Sequence, residues 1–522
     1  MKLDNKFKKV FAGHKKEDNN EGSQPMPCGT SSPGTADSQP PVPETVQPVP
    51  EVEQKKEQII ERPVPRTYEG IRDEIRTYLA NALSLPLSHI HDHSRFIDDL
   101  GGDSLQSLEL FSKIEDRYHI LIPDEEYFTC SRIQDIVNLI YGKVSGKTKP
   151  PEELDHSIDS QNKGAEPCED KKVLKIARFE DSREHEAFSR RLELAAEAAA
   201  AMGTEFENPY FVPHDSVLRD VSIIDGQEVL NFASYNYLGL SGHPATVQAA
   251  CEAAARYGTS ASGSRLLTGE KTLFKELERE IACWKHSEDA LVLVGGHSTN
   301  VTVVGNFCNQ NDLILYDGLS HNSIIQGTLL SKSASKHFPH NDFAALERML
   351  ADYRDRYEKV LIVVEGVYSM DGDIAPIPEF VRLKKKYGCF LMVDEAHSSC
   401  VIGPHAWGVD DYFNLEPEDI DIRMGTLSKG LGACGGYIAG KKCMIDYMRY
   451  NIPGFVFSVG ISPPVAAAAL AAVKLVRTDF SMAKRLQANI NTFISEARAR
   501  DINTCLAKET AIIPVLVGKD DH

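Results

Sequence analysis

Two short stretches in the C-terminal half hold side chains whose types and spacing suit chemistry on an aldehyde cofactor. In "VDEAHSS", Asp394 and His397 stand where an apolar run gives way to a turn. In "MGTLSKGLGACGGYIAG", Lys429 follows a second apolar run, flanked by Ser428 and Gly430 and ahead of a glycine-rich hairpin, so its amine has room for a bulky group. The first stretch alone would read as an acidic strand end with a capping role. Together the two supply what pyridoxal phosphate (PLP) chemistry requires: a lysine for a Schiff base and a carboxylate to pair with the pyridinium nitrogen. That carboxylate keeps the ring nitrogen protonated, and the ring then accepts the electrons released when a bond at an amino acid's α-carbon breaks. A ring stacker, partners for the phenolic oxygen and donors for the phosphate are also needed. The candidates are Gly295, Gly296 and His297 in "VGGHSTN", His321 in "YDGLSHNSIIQG", Ser369 in "EGVYSMDGD", and Thr426 with Ser428.

The elements that must position these groups follow from hydrophobic patterning. The runs "ALVLVGG", "DLILYDG", "VLIVVEG", "CFLMVDE" and "IDIRMGT" each end in or just before Gly, Asp or Glu and alternate with helical patterns. Such alternation predicts an α/β domain with a mainly parallel sheet covered on both faces and chemistry at the carboxyl ends of its strands. The alanine-rich "VAAAALAAV" from Val465 predicts a buried helix. With 522 residues the chain exceeds one core, and 42% hydrophobic with 25% charged residues is ordinary for a water-soluble protein. A net charge of -19 argues against nucleic acid as a partner. The eleven cysteines form no Cys-x-x-Cys pair, no signal peptide is readable, and no apolar run is long enough to span a membrane, so a cytoplasmic protein is expected.

A second chemistry is suggested near the N-terminus. Residues 1–65 form a Pro/Glu-rich lead that cannot bury enough apolar area to order itself, and residues 143–175 form a polar linker. Between them, residues 66–142 show three amphipathic patterns: Ile71, Ile75, Tyr78, Leu79 and Ala82; Leu105, Leu108, Phe111 and Ile114; and Ile133, Ile136, Val137 and Ile140. This predicts a small all-α bundle. In "DDLGGDSLQSLEL", Ser104 heads the second pattern. It can be read as a helix N-cap, as a nucleophile in a "GDSL" block, or as an attachment point. Against the nucleophile, no apolar strand leads into the turn, and the Asp and His of "DEAH" are already used in the other domain. For attachment, a phosphodiester at the first turn of a helix meets unpaired amides and the positive dipole end, and Asp98, Asp99, Asp103 and Glu109 suit a basic transferase.

On these residues "LGGDSL" resembles the acyl carrier proteins, which implies 4′-phosphopantetheine on Ser104 and a pantetheinyl transferase as partner. From about Asn208 onward, "SYNYLGLSGHP", "GTSASGSRLLTGE", "EGVYSMDGDIAPIP", "DEAHS" and "GTLSKG" together resemble the α-oxoamine synthases, fold-type I PLP enzymes. The resemblance implies that Lys429 holds the cofactor and moves the α-proton, Asp394 pairs with the pyridine nitrogen, and His321 stacks on the ring. His397 and Ser369 would lie near the phenolic oxygen. Gly296, His297, Thr426 and Ser428 would hold the phosphate, with Ser458 reaching it from the neighbouring subunit of a homodimer. Tyr235 in "SYNYLG" matches the serine palmitoyltransferase version, whereas Cys400, Ala406 and Trp407 depart from the family's glycine and arginine pattern. The family condenses an amino acid with an acyl thioester and loses carbon dioxide, giving an α-amino ketone, a sphingoid-like lipid or polyketide-derived product among them.

The expected organisation is therefore an acyl carrier domain at 66–142 fused to an α-oxoamine synthase domain at 176–522. A linker of this length spans roughly 30 Å as a flexible chain and gives an effective concentration on the order of millimolar. Family members continue past "IIPVLVG" into a small domain with an arginine that grips the substrate carboxylate, so ending at His522 suggests a C-terminal truncation. The alternative this leaves is a carrier or dimerisation module whose synthase domain is inactive.

Overall fold

The structure, a computed structural model, describes residues 67–82, 87, 90–94, 110, 114, 117–118, 120, 122, 130, 132–145, 177–201, 208 and 210–517. The lead, Ser104 with its flanking motif, and linker residues 146–175 lie outside them.

In the N-terminal domain, α1 (Tyr68–Ala82) and α2 (Ile133–Ser145) frame the core. The isoleucines and leucine spaced four apart on α1, Ile71, Ile75 and Leu79, point to one face and pack with Ile133, Ile136, Val137 and Ile140 of α2. Ile90, Leu110, Ile114, Tyr118 and Ile122 complete the cluster. The first amides of α2 are satisfied by the preceding loop, Ile133 N donating to Ser94 O at 3.0 Å and Gln134 N to Asp92 O at 2.8 Å. Glu74 on α1 pairs with Arg117 at 3.0 Å and accepts from the Tyr118 hydroxyl. Leu105, Leu108 and Phe111 lie outside the described residues. The helix α2 continues to Ser145, three residues past the expected domain end.

The run "SRRLELAAEAAAA" falls in α3 (Arg183–Ala201), after which a hairpin, β1 (Val221–Ile224) and β2 (Gln227–Leu230), opens the larger domain. Its Asp225-Gly226 turn takes positive φ at both positions, 49° and 75°, which matches the twist of the flanking strands. The main sheet has the order β3-β9-β8-β7-β6-β4-β5. Its strands are β3 (Asp289–Leu293), β4 (Leu313–Asp317), β5 (Ala334–Phe338), β6 (Val360–Glu365), β7 (Phe390–Asp394), β8 (Ile422–Thr426) and β9 (Gly436–Gly440). All five apolar runs are strands. The sheet is mainly parallel, with β9 alone reversed between β3 and β8.

Successive residues of the central strands are buried on alternate faces, and both faces are covered. Leu313, Leu315, Ile362 and Val364 face a cluster with α8 (Phe343–Tyr353) and α9 (Ile377–Tyr387), through Leu346 and Phe380. Ile314, Tyr316, Leu361 and Val363 face α6 (Gly296–Phe307) and α7 (Asn322–Leu330), through Val303, Val304, Ile324 and Ile325. At the β3 side, α4 (Pro244–Tyr257), α5 (Thr272–Trp284) and the alanine-rich α10 (Pro463–Thr478) share a third cluster. The expected buried helix is thus α10, with Ala466, Ala469 and Ala472 fully enclosed. No helix among the described residues is long and apolar enough to cross a membrane.

Candidate active site

Strands β6, β7 and β8 end side by side and deliver the central groups. Glu365 pairs in register with Asp394, and Glu395 N, the next amide along, donates to Met424 O of β8 at 2.8 Å. Asp394 is buried, and two neutral donors fix its carboxylate: Asn300 Nδ2 reaches Oδ2 at 2.6 Å and Ala396 N reaches Oδ1 at 2.9 Å. Asn300 lies one helical turn after Gly296 on α6 and also donates to Ser323 Oγ at 2.9 Å, while its Oδ1 is a buried acceptor with no partner among the described residues.

Lys429 Nζ lies 2.6 Å from His397 Nε2, and the Tyr237 hydroxyl lies 2.7 Å from His397 Nδ1. The imidazole is thus gripped at both nitrogens. Burial, and then the adjacent Lys429 charge, pushes the His397 pKa down to about 3, so the ring is neutral. Burial also lowers the Lys429 pKa, with Asp394 and Glu365 opposing, which favours the free amine that carbonyl chemistry needs. Burial raises the pKa of Tyr237, which stays a phenol. The exposed ring of Tyr235 stands 5.6 Å from Lys429 Nζ and edge-on to His397, so it borders the lysine.

His321 caps α7, its Nδ1 accepting from Ser323 N at 3.2 Å, and leaves its ring exposed beside His297 with centroids 6.1 Å apart. Burial lowers its pKa, with Asp394 opposing. Its own amide donates to Glu365, a fully buried carboxyl whose pKa is raised well above the usual range by burial and by the neighbouring Asp394. At the start of α6, a β-carbon added to Gly296 would come within 2.9 Å of Thr426 Oγ1, so the helix N-terminus, Thr426 and Ser428 converge. Ser428 N donates to Thr426 Oγ1 at 3.1 Å.

Ser369 sits half-buried in the loop after β6, which is closed by Tyr368 N donating to Asp373 O at 3.2 Å. Ser458 serves its own turn, accepting from Gly460 N at 3.4 Å. The sequence reading missed Tyr237, Asn300 and Glu365. The signals were available: Tyr237 is in "SYNYLG", Asn300 is i+4 from Gly296, and Glu365 is an acid at a strand end.

The loop after β7 is held from behind. Lys285 Nζ donates to Glu395 Oε1 at 3.1 Å, Ser399 Oγ at 2.7 Å and Trp407 O at 2.6 Å, all in the interior. Glu395 Oε2 accepts from Val409 N at 3.0 Å, and a β-carbon on Gly408, whose φ is 105°, would lie 1.9 Å from that oxygen. Cys400 and Ala406, the departures from a glycine pattern, keep left-handed backbone with φ of 69° and 58°. A non-glycine residue there costs about 1–2 kcal/mol. Trp407 packs against His405 and Phe480.

These residues fit PLP. A buried carboxylate is held by neutral donors, burial favours the free amine of a lysine beside it, and a helix N-terminus lies where an anion is stabilised. The sequence profile of the family "Aminotransferase class I and II" matches residues 227–521, and that of "Phosphopantetheine attachment site" matches residues 73–140. The chain is 41% identical over 298 residues to an 8-amino-7-oxononanoate synthase of Treponema denticola, covering 57% of this chain and 75% of that protein. It is 39% identical over 299 residues to the Thermoanaerobacter pseudethanolicus enzyme of the same name, covering 57% and 75%. Among solved structures, Sphingomonas wittichii serine palmitoyltransferase superposes with a TM-score of 0.61 at 28% identity, over 66% of this chain and 84% of that one.

Proposed function

Because the chain belongs to the class I and II aminotransferase family, and within it to the PLP-dependent α-oxoamine synthases, we propose that it condenses a small amino acid of the glycine, alanine or serine class with an acyl thioester delivered on its own carrier domain. Its cofactors are PLP and, through the attachment domain, 4′-phosphopantetheine. The observation that carries the reading is the meeting of Lys429, His397 and Asp394 at the ends of β7 and β8.

When bound, PLP supplies a carbonyl for the amine and a ring that takes up electrons from the α-carbon. Lys429 Nζ holds and moves the proton, since burial leaves its amine unprotonated at a lower pH than an exposed lysine. His397, neutral and fixed by Tyr237, orients Lys429 and presents a polar edge to the phenolic oxygen, with Ser369 beside it. Asp394, aligned by Asn300 and Ala396 N, keeps the pyridine nitrogen protonated. His321 covers the ring. Gly296, His297, Thr426 and Ser428 hold the phosphate, and Tyr235 borders the acyl donor.

Ser104 carries the pantetheine arm. A carrier tethered in the same chain supplies the thioester at an effective concentration on the order of millimolar. A homodimer, with Ser458 completing the partner's phosphate site, is supported by large apolar side chains that one chain leaves in water. Phe457 is 86%, Phe232 82% and Leu267 79% exposed.

Two measurements test the reading. Lys429→Ala abolishes the visible absorbance of bound PLP; an unchanged band refutes the assignment. Intact-mass measurement after pantetheinylation and acylation shows the acyl mass leaving Ser104 only when one amino acid is added. Discharge without any amino acid, or none with all of them, refutes the coupling.

A further inference from the structure

We propose that His340 is a positioning residue that ties the loop carrying His321 to the loop carrying Ser369, bridging Asp317 and Asp373 as a charged clamp. The inference rests on the PLP site described above.

His340 lies in the turn after β5, outside every motif that marks the site. Its Nδ1 is 2.9 Å from Asp317 Oδ1 and its Nε2 is 3.1 Å from Asp373 Oδ2. A neutral imidazole can donate from one nitrogen only, so two carboxylate partners select the imidazolium. Burial pulls the His340 pKa down, but the hydrogen bonds its ring donates to Asp317 and Asp373 outweigh burial and push it up to about 10. Asp317 is fully buried at the end of β4, where a carboxylate needs a counter-charge. Asn341 reinforces both contacts. Its backbone N, at a φ of 56°, donates to Asp317 Oδ2 at 2.8 Å, and its Nδ2 donates to Asp373 Oδ2 at 2.6 Å.

Each end of the bridge governs a loop that leads to the cofactor residues. Asp317 Oδ1 also accepts from Leu319 N at 2.9 Å, and Asp317 O accepts from Ser320 N at 3.0 Å, which shapes the approach to His321. Asp373 O accepts from Tyr368 N, closing the loop that holds Ser369. The imidazole packs edge-on against Tyr368 with centroids 4.5 Å apart. Thr510 Oγ1 donates to Gly372 O at 2.6 Å from the other side, so the Ser369 loop is held between His340 and the chain near its end. The clamp thereby fixes the spacing between the group over the ring and the group at its phenolic edge.

The test uses the full chain, as apo-protein and after PLP loading, with His340→Gln and Asp373→Asn. Hydrogen exchange of the apo-protein is expected to rise together in residues 317–323 and 367–374 in His340→Gln, and in residues 367–374 in Asp373→Asn. PLP retention is expected to weaken about tenfold, because displacing a positioning group by a fraction of an ångström is felt at the reacting centre. The visible circular dichroism of bound PLP, which reports its tilt, falls alongside. Exchange confined to residues 338–342, with PLP retention and dichroism unchanged, overturns the proposal. Asp373→Asn cuts the bridge at the Ser369 loop alone and leaves the Asp317 contact in place, so if His340→Gln does not fold, exchange in residues 367–374 together with PLP retention decides the proposal. A wild-type chain that takes up no PLP would sink the cofactor reading instead, while the exchange result would still decide the clamp.

Discussion

Replacing Asn300 by leucine separates cofactor binding from folding. The two side chains share a branched shape, but leucine is bulkier, and because Asn300 is 1% exposed the change adds an overpacking cost of about 1–3 kcal/mol. The change removes the 2.6 Å bond from Nδ2 to Asp394, and a hydrogen bond to a charged group is worth about 1.5–3 kcal/mol. It also removes Oδ1, a buried acceptor without a partner among the described residues, whose desolvation costs about 1–3 kcal/mol. In the apo-protein these two contributions nearly cancel, which leaves the overpacking and the lost 2.9 Å bond to Ser323 Oγ, so a melting loss of several degrees is expected. In the PLP complex only the first matters, because Asp394 must meet the pyridine nitrogen at a fixed orientation. PLP affinity should therefore fall by about 10- to 100-fold. The assay is a PLP titration of apo-protein by visible absorbance, paired with a thermal melt of the same preparation. An affinity within twofold of wild type refutes the role given to Asn300. A large melting loss with proportionate loss of binding shows instead that Asn300 acts through the fold.

The capture of PLP by apo-protein should have its pH midpoint below that of an ordinary lysine, because burial lowers the Lys429 pKa and the free amine appears earlier as pH rises; a midpoint near 10.5 contradicts this. Lys285→Met leaves the interior Glu395 carboxylate without its cation and should cost about 3–5 kcal/mol in denaturant unfolding, with Lys285→Met/Glu395→Leu recovering part of it; a single variant as stable as wild type would remove the case for the pair. Ile136→Ala in the carrier domain should destabilise that domain by about 2–5 kcal/mol, seen as loss of its exchange protection, while PLP binding is unaffected; coupled loss of both would show that the domains fold as one.

The parts of the fold that were legible in the sequence are those whose signal is local. Strands β4, β6 and β7 are buried on both faces and read as continuous apolar runs, and Lys429, Asp394 and His397 stand at the ends of such runs. The strand β5, "ASKHF", carries no such signal because it lies at the sheet edge with only Phe338 fully buried. The strand β9 was visible only as the glycine-rich return from Lys429, since periodicity says nothing of direction. The supports of the site were illegible for a different reason. The contacts of Lys285 with Glu395, of Tyr237 with His397, and of His340 with Asp317 and Asp373 join residues far apart in the chain, and no spacing rule links them. Ser104 was legible as a motif, and its structure lies outside the described residues.

The pairing of β6 with β7, from Leu361 with Phe390 through Glu365 with Asp394, has a consequence for how the chain matures. A slip of one residue between these strands would shift the carboxylate by about 3.3 Å and turn it to the opposite face of the sheet. Such a mis-registered chain would still be compact and apolar inside, yet blind to the cofactor. A cofactor that requires Asp394 at its native place stabilises the native register by mass action. Correct register of β6 on β7 is thus a precondition of cofactor uptake.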